Sequence, residues 1–424
     1  MTSVAFYLDN SRISGLDFKN SLIGNPGTGA TEFMTVLISS LLASRGIDVV
    51  LYVKSPGNFP HNLAIEIVQN LEEAISKSAH EKRILVIRAY LSGMKEVIND
   101  IQRIPESRVL VWAHLTPNQS DLRLMADTSQ ILQLICLENN QRVRLLDNPI
   151  HNKSLTIPYG ISGSTTKRHF DPEHINIVYI GAIVPQKGIH FLTDIWDRVL
   201  NRFPKAKLIV LGSSSLYGDN FELGPRKIAD IQFEKRIFKN VKTSEHSIFF
   251  LGNLDANARN LVLNSATLGI VNPSGSTETF CLSAVEFQQR GIPVISARKY
   301  GLLDTVKNKK SGYLVLHRHF LYRKIVKLIL HPNLNLRMGN YAQNRVIQKY
   351  DLLRILKRWE NLFEHLSSPY ETPLMKESKD VKIASLQALL GLINRPMVRK
   401  FSPFWPTQVE LWLWIKRLRH SILG

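Results

Sequence analysis

Short apolar runs alternate with amphipathic, helix-length segments twice along this chain, and that alternation limits the fold to a small set. Strands are expected at Val4–Leu8, Asp48–Val53, Ile84–Arg88, Val109–Trp112 and Leu132–Leu137, with a helix over Thr31–Ser44. A polar, Gly/Ser/Thr-rich stretch at Ser154–Lys167 reads as a linker, after which the pattern restarts. Further strands are expected at Ile175–Ile180, Lys207–Leu211, Ile248–Leu251, Thr267–Val271 and Pro293–Ser296. Strands alternating with helices imply a parallel sheet covered on both faces. Two such stretches in tandem predict two doubly wound domains with a ligand in the cleft between them. Ser367–Asp380 is linker-like again and leaves a C-terminal tail that fits neither domain.

The 424 residues suffice for two or three domains with proper cores. A 44% hydrophobic and 21% charged composition excludes a disordered or fibrous chain. With only Cys136 and Cys281, a disulfide scaffold and a Cys-based zinc site are excluded, and a reducing compartment is expected. No apolar run is long enough to span a bilayer, and the N-terminus lacks signal-peptide character, so a soluble, intracellular protein is expected. The formal net charge is +19, and it is uneven. From Gly301 to Gly424, 22 Lys+Arg stand against 8 Asp+Glu. Such a bias suits nucleic acid, an anionic membrane or acidic ligands.

Three segments carry chemistry. Gly24-Asn25-Pro26-Gly27-Thr28-Gly29-Ala30-Thr31-Glu32 lies between a strand and a helix. It is either a tight turn or a loop whose backbone approaches an anion at the helix start. Tyr179–Gly188 runs from strand to helix, with Gly181 at the strand end and Lys187 six residues later. Lys187 either reaches a phosphate or is a solvated lysine. The third is Glu278-Thr279-Phe280-Cys281-Leu282-Ser283-Ala284-Val285-Glu286, with Glu278 before a helix and Glu286 inside it. Backbone N–H groups of Phe280, Cys281 and Leu282 would face a diphosphate at the helix N-terminus. Glu278 can accept from sugar hydroxyls and Glu286 from both hydroxyls of a ribose. A capping carboxylate plus a solvated one is the bland alternative.

In this order, across two α/β domains, the three segments closely resemble the retaining family 4 glycosyltransferases of GT-B fold. Glu278 to Glu286 is similar to the family's E-x7-E element, Gly181–Gly188 to its Gly-Arg-x-x-x-x-Lys-Gly phosphate loop, and Gly24–Glu32 to its N-terminal glycine loop. Ile135–Gln141 and Ile157–Ile161 resemble the strand and linker before its second domain. The resemblance spans Val4 to Leu366. It departs at Ala182, where the family has an arginine that helps neutralise the diphosphate, and Arg298 is the candidate substitute. It departs also at Cys281 (usually glycine) and Tyr159 (often asparagine).

The resemblance implies a GT-B fold: two tandem Rossmann-like domains facing a central cleft, plus a basic C-terminal tail. The expected boundaries are 1–165 for an acceptor-side domain, 166–350 for a nucleotide-sugar domain, 351–366 for a crossover helix and 367–424 for the tail. It implies transfer of a sugar from a nucleotide-sugar to an acceptor hydroxyl with retention, in polysaccharide, glycolipid or glycoconjugate synthesis. His114, Glu278 and Lys187 are the implied catalytic residues. Gly27, Gly29, Gly181, Lys187, Phe280, Cys281, Leu282 and Glu286 are the implied donor-binding ones. Neither metal nor other cofactor is expected. A non-catalytic nucleotide-sugar-binding or scaffold relative is the alternative, and another enzyme of the same fold a weaker one.

In the tail, Arg395, Arg399, Lys400, Lys416, Arg417 and Arg419 interleave with Phe401, Phe404, Trp405, Trp412 and Trp414. This suits an anionic bilayer interface, a lipid-linked acceptor and a cytoplasmic enzyme peripheral at the inner membrane face. The other reading packs the tail on the second domain with its basic face solvated. Nucleic acid is not an expected partner, because no recognised nucleic-acid-binding fold is present.

Overall fold

The computed structural model describes residues 2–13, 15, 17–91, 93–162, 170–214, 222–276, 278–368, 386–401 and 406–423. The chain folds into two compact units. The first comprises Met1–Gly15, Thr35–Pro158 and Leu356–Gly424; the second comprises Leu16–Met34 and Tyr159–Ile355. The glycine-rich Gly24–Glu32 segment thus folds with the second unit, although it follows the first strand of the first.

The first unit is built on seven parallel strands: β1 (Ser3–Leu8), β2 (Asp48–Val53), β3 (Ala64–Ile67), β4 (Ile84–Arg88), β5 (Val109–Ala113), β6 (Ile131–Cys136) and β7 (Ser154–Thr156). Their order is β3-β2-β1-β4-β5-β6-β7. The second unit has six, also parallel: β8 (Asn176–Ile180), β9 (Lys207–Leu211), β10 (Ile248–Gly252), β11 (Leu268–Ile270), β12 (Val294–Ala297) and β13 (Gly312–Val315). Their order is β10-β9-β8-β11-β12-β13. In both sheets the order in which strands are added reverses next to the first strand, which opens a crevice at the carboxyl ends of the strands there. In the second unit that crevice lies between the loops after β8 and β11.

The inner strands are apolar throughout because both faces are covered. Ala5, Val50, Leu85, Val111 and Leu134 belong to the first core; Ile177, Tyr179, Leu208, Ile270 and Ile295 belong to the second. Ser154–Lys167 differs from its expectation as a linker. Ser154–Thr156 forms β7, paired with β6 from Leu134 to Cys136, while residues 163–167 lie outside the described part. An edge strand needs only a neighbour's backbone, so three polar-flanked residues suffice.

The helix Leu352–Ser367 carries the predicted apolar stripe. Within the first unit Trp359 packs on Trp112 and Phe6, with ring centroids 4.9 and 6.1 Å apart, and Phe363 stacks on Trp359. Beyond it, helices Leu386–Phe401 and Gln408–Leu423 pack on each other. They dock on the first unit, which corrects the reading that placed the tail on the second domain. Asn394 Nδ2 donates to Asp147 Oδ2 at 2.9 Å, the Gln408 N–H donates to the same oxygen, and Arg123 holds Glu410 with both Nη atoms. Burial raises the Asp147 pKa despite these bonds. Residues 369–380 of the expected linker, Phe404 and Trp405 lie outside the described residues. So do the side chains of Arg399, Lys400, Phe401, Lys416, Arg417 and Arg419. Among the described residues no helix is long and apolar enough to cross a membrane.

Candidate functional site

Of the ten residues expected at a site, nine belong to the second unit and His114 to the first. The second unit gathers its nine from three separate stretches of sequence. The loop after β8 ends in a tight turn, Pro185–Lys187, followed by Gly188 at φ +76°. A Cβ on Gly188 would sit 2.8 Å from the Ser274 backbone nitrogen, so this loop presses directly on the loop after β11. There Lys187 Nζ donates to Glu278 Oε2 at 2.8 Å, and Asn272 Nδ2 donates to the same oxygen at 2.7 Å. Both charged side chains are mostly buried. Gly181 spends its N–H on the Leu211 carbonyl at 3.1 Å, so that N–H is not open to an anion.

Asn272 was not anticipated. It sits at φ +38°, a conformation in which asparagine is among the few tolerated residues. Its Oδ1 accepts from the Ser274 hydroxyl and the Gly275 N–H, both at 3.0 Å, while its amide holds Glu278. One side chain therefore both shapes the loop and aims the carboxylate.

The helix Leu282–Gln289 follows, with Cys281 at its N-cap. Its first turn leaves N–H groups without intrahelical partners, beside the Lys187 ammonium. Phe280, Cys281 and Leu282 are buried. Phe280 is wedged edge-on against Tyr159 and Tyr350, at 5.0 and 5.4 Å. Burial, then Glu278, pushes the Cys281 thiol well up, so it is a neutral packing group and not a nucleophile. Deeper in the helix Glu286 is paired through Oε2 with Arg259 of the helix Ala256–Asn264. Arg259 also escaped sequence reasoning.

The glycine-rich segment joins the same neighbourhood. Gly27, at φ +96°, would bring a Cβ within 3.3 Å of the Leu254 carbonyl, one turn before Arg259. Tyr159 hydrogen-bonds Thr31 and lies near Glu32 and Glu278, and burial raises its pKa. The expected free N–H groups are only partly free. Asn25 Oδ1 already takes those of Gly27 and Thr28, at 2.9 and 2.8 Å. Gly29 begins the helix turn through its carbonyl, which accepts from Phe33.

Ala182 is buried, with no cation from its own side chain. Arg298, the candidate substitute, is exposed just past β12. Its neighbour Lys299 instead places Nζ 3.2 Å from the Ser274 carbonyl, and the Ser274 hydroxyl bonds Gln186 in the phosphate-loop position. No group of three or more His, Cys, Asp or Glu is placed to hold a metal among the described residues.

In the first unit, His114 follows β5 and is buried, its ring 4.5 Å from Trp112. Burial, then the Arg88 charge, lowers its pKa to about 3, so it is a neutral imidazole at physiological pH. The unfolded chain binds a proton near 6.5 that the folded chain refuses until about 3. Stability from this group is therefore full above about 6.5 and is lost as pH falls toward 3. Denaturant midpoints measured across that window should fall less steeply for His114→Asn than for wild type. Parallel curves would remove the assignment.

Residues 165–345 match the family model "Glycosyl transferases group 1". Sucrose-phosphate synthase from Thermosynechococcus elongatus superposes with a TM-score of 0.66 at 16% identity, covering 86% of this chain and 99% of that one. The fold is GT-B. HepE from Anabaena, in complex with UDP and glucose, gives 0.65 at 15% identity over 87% of this chain and all of that one. In sequence, the poly(ribitol-phosphate) alpha-N-acetylglucosaminyltransferase of Staphylococcus aureus (strain COL) is 25% identical over 248 residues, 58% of this chain and 46% of that protein. The chain spans about half the length of the curated relatives it matches.

Proposed function

We propose that this chain is a retaining glycosyltransferase of family 4, moving a sugar from a nucleotide-sugar to an acceptor hydroxyl in polysaccharide, glycolipid or glycoconjugate synthesis. One observation carries the reading: Lys187, Glu278 and the start of the Leu282–Gln289 helix meet at the switch point of the second sheet. An ammonium beside a helix N-terminus stabilises a leaving diphosphate. The bond from the anomeric carbon to the phosphate oxygen breaks as the acceptor oxygen bonds the same face. The acceptor proton passes to the departing phosphate oxygen. Neutral His114 hydrogen-bonds the donor sugar and positions it. Glu278 accepts from sugar hydroxyls, and Glu286 takes the ribose.

HepE in complex with UDP and glucose supports a nucleotide-sugar donor and puts UDP-sugars first in a donor panel. The acceptor is a sugar or a lipid-linked molecule. The tail brings the enzyme to an anionic membrane surface at the inner, cytoplasmic face. Buried Ala182 favours a second reading, a non-catalytic nucleotide-sugar-binding or scaffold relative. Incubation with UDP-, GDP- and ADP-sugars and candidate acceptors decides between them. Release of nucleoside diphosphate is expected; neither binding nor turnover across the panel would leave the scaffold.

A further inference from the structure

The tail helices are fastened to the first unit by polar contacts and expose apolar side chains beyond them. Thr407 and Glu410 cap the last helix reciprocally: the Thr407 N–H and hydroxyl donate to Glu410 Oε2 at 2.7 and 2.9 Å, and the Glu410 N–H returns to the hydroxyl at 3.4 Å. The same Glu410 is clamped by Arg123, and Asp147 holds both helices. Glu410 is the only acidic residue from 386 to 424, against six Lys and Arg. Its charge is already matched by Arg123, so the segment's excess is positive.

Directly after this clasp come five consecutive exposed apolar residues, Leu411-Trp412-Leu413-Trp414-Ile415, with Trp412 58% and Trp414 61% exposed; at 3.6 residues per turn they are bare all round the helix. Ile393 and Leu390 of the preceding helix are exposed as well. A soluble surface rarely leaves two tryptophans in such a run uncovered. Indole rings sit well at the headgroup level of a bilayer, and Lys416, Arg417 and Arg419 follow directly in sequence. A second copy of the chain would bring the same positive segment against itself, whereas an anionic lipid surface complements it.

Building on the membrane role proposed for the tail, we infer that the hairpin of Leu386–Phe401 and Gln408–Leu423 is a bilayer-docking surface. Its Leu411–Ile415 turn enters the headgroup region of an anionic membrane. It lies on the membrane, since neither helix is long and apolar enough to cross it. The polar fastening fixes the surface to the first unit, so docking orients that unit as well as holding it.

The test compares the full chain with a Trp412→Ser/Trp414→Ser/Ile415→Ser variant in co-sedimentation with vesicles. Wild type should bind phosphatidylcholine vesicles containing phosphatidylglycerol, bind pure phosphatidylcholine far less, and lose binding as salt rises. The variant should bind the mixed vesicles at least about tenfold more weakly, with its thermal midpoint unchanged. Equal binding by both proteins, or none by wild type, would overturn the assignment. A dimeric wild type that the variant turns into monomers would give the face to a second copy. Vesicle binding without turnover of any donor would uphold the docking surface and sink the transferase reading alone.

Discussion

Lys187→Ala should lower the turnover of whichever donor the chain uses by about two to three orders of magnitude, the usual loss when one preorganised charge at a developing anion is removed. The effect should fall on kcat, because the charge on the leaving diphosphate grows as the glycosidic bond stretches. The substitution has a second consequence, which the assay must separate. Lys187 and Asn272 share Glu278 Oε2, and the alanine leaves a mostly buried carboxylate with only the amide. That costs up to about 3 kcal/mol of stability. A Lys187→Ala/Glu278→Gln enzyme removes the stranded charge, so its melting temperature should return toward wild type while turnover stays low. Recovery of turnover in the double variant would show that Lys187 serves the fold and not the leaving group.

Glu286→Ala should act differently. A carboxylate accepting from two ribose hydroxyls makes contacts present before and during the reaction, so its loss weakens binding of ground and transition state alike. Donor affinity should fall about 10- to 100-fold, the range for losing hydrogen bonds to a charged acceptor, with kcat little changed. Arg259 makes the expectation sharper. It engages Oε2 of Glu286, which orients the carboxylate and leaves the other oxygen for a ligand. Wild type should therefore prefer a ribonucleotide donor over its 2′-deoxy counterpart, and Glu286→Ala should abolish that preference. Unchanged donor affinity in Glu286→Ala would break the ribose contact.

The two sheets could be read from sequence because their central strands are buried on both faces and so are apolar without interruption. Ile177-Val178-Tyr179-Ile180 and Val4-Ala5-Phe6-Tyr7 are examples. The strands that escaped notice lie at edges: Ala64–Ile67, whose ends are exposed, Ser154–Thr156, and Gly312–Val315, which opens on a glycine. A ladder with one neighbour asks little of composition. At the site, the strand end and the helix start together with the family resemblance singled out Lys187, Glu278 and Glu286, and the structure brings Lys187 and Glu278 to 2.8 Å. Spacing could not reveal Asn272, Tyr159 or Arg259. Asn272 is a turn residue by local appearance, and Tyr159 looks like linker. Arg259 meets Glu286 from another helix, 27 positions away. The docking of the tail was illegible for the same reason, because Asp147 and Asn394 are 247 positions apart.

Cys281 supplies something the chemistry of sugar transfer does not use. Its thiol is sealed at the start of the Leu282–Gln289 helix and kept protonated, and Cys136 is sealed as well, inside the other sheet. With Cys281 buried and Phe280 packed on Tyr159 and Tyr350, alkylation of that thiol is expected to require the helix start to open. The rate at which that thiol is labelled should thus count openings of the helix's first turn. The protein carries its own clock for a motion that no substrate is needed to reveal.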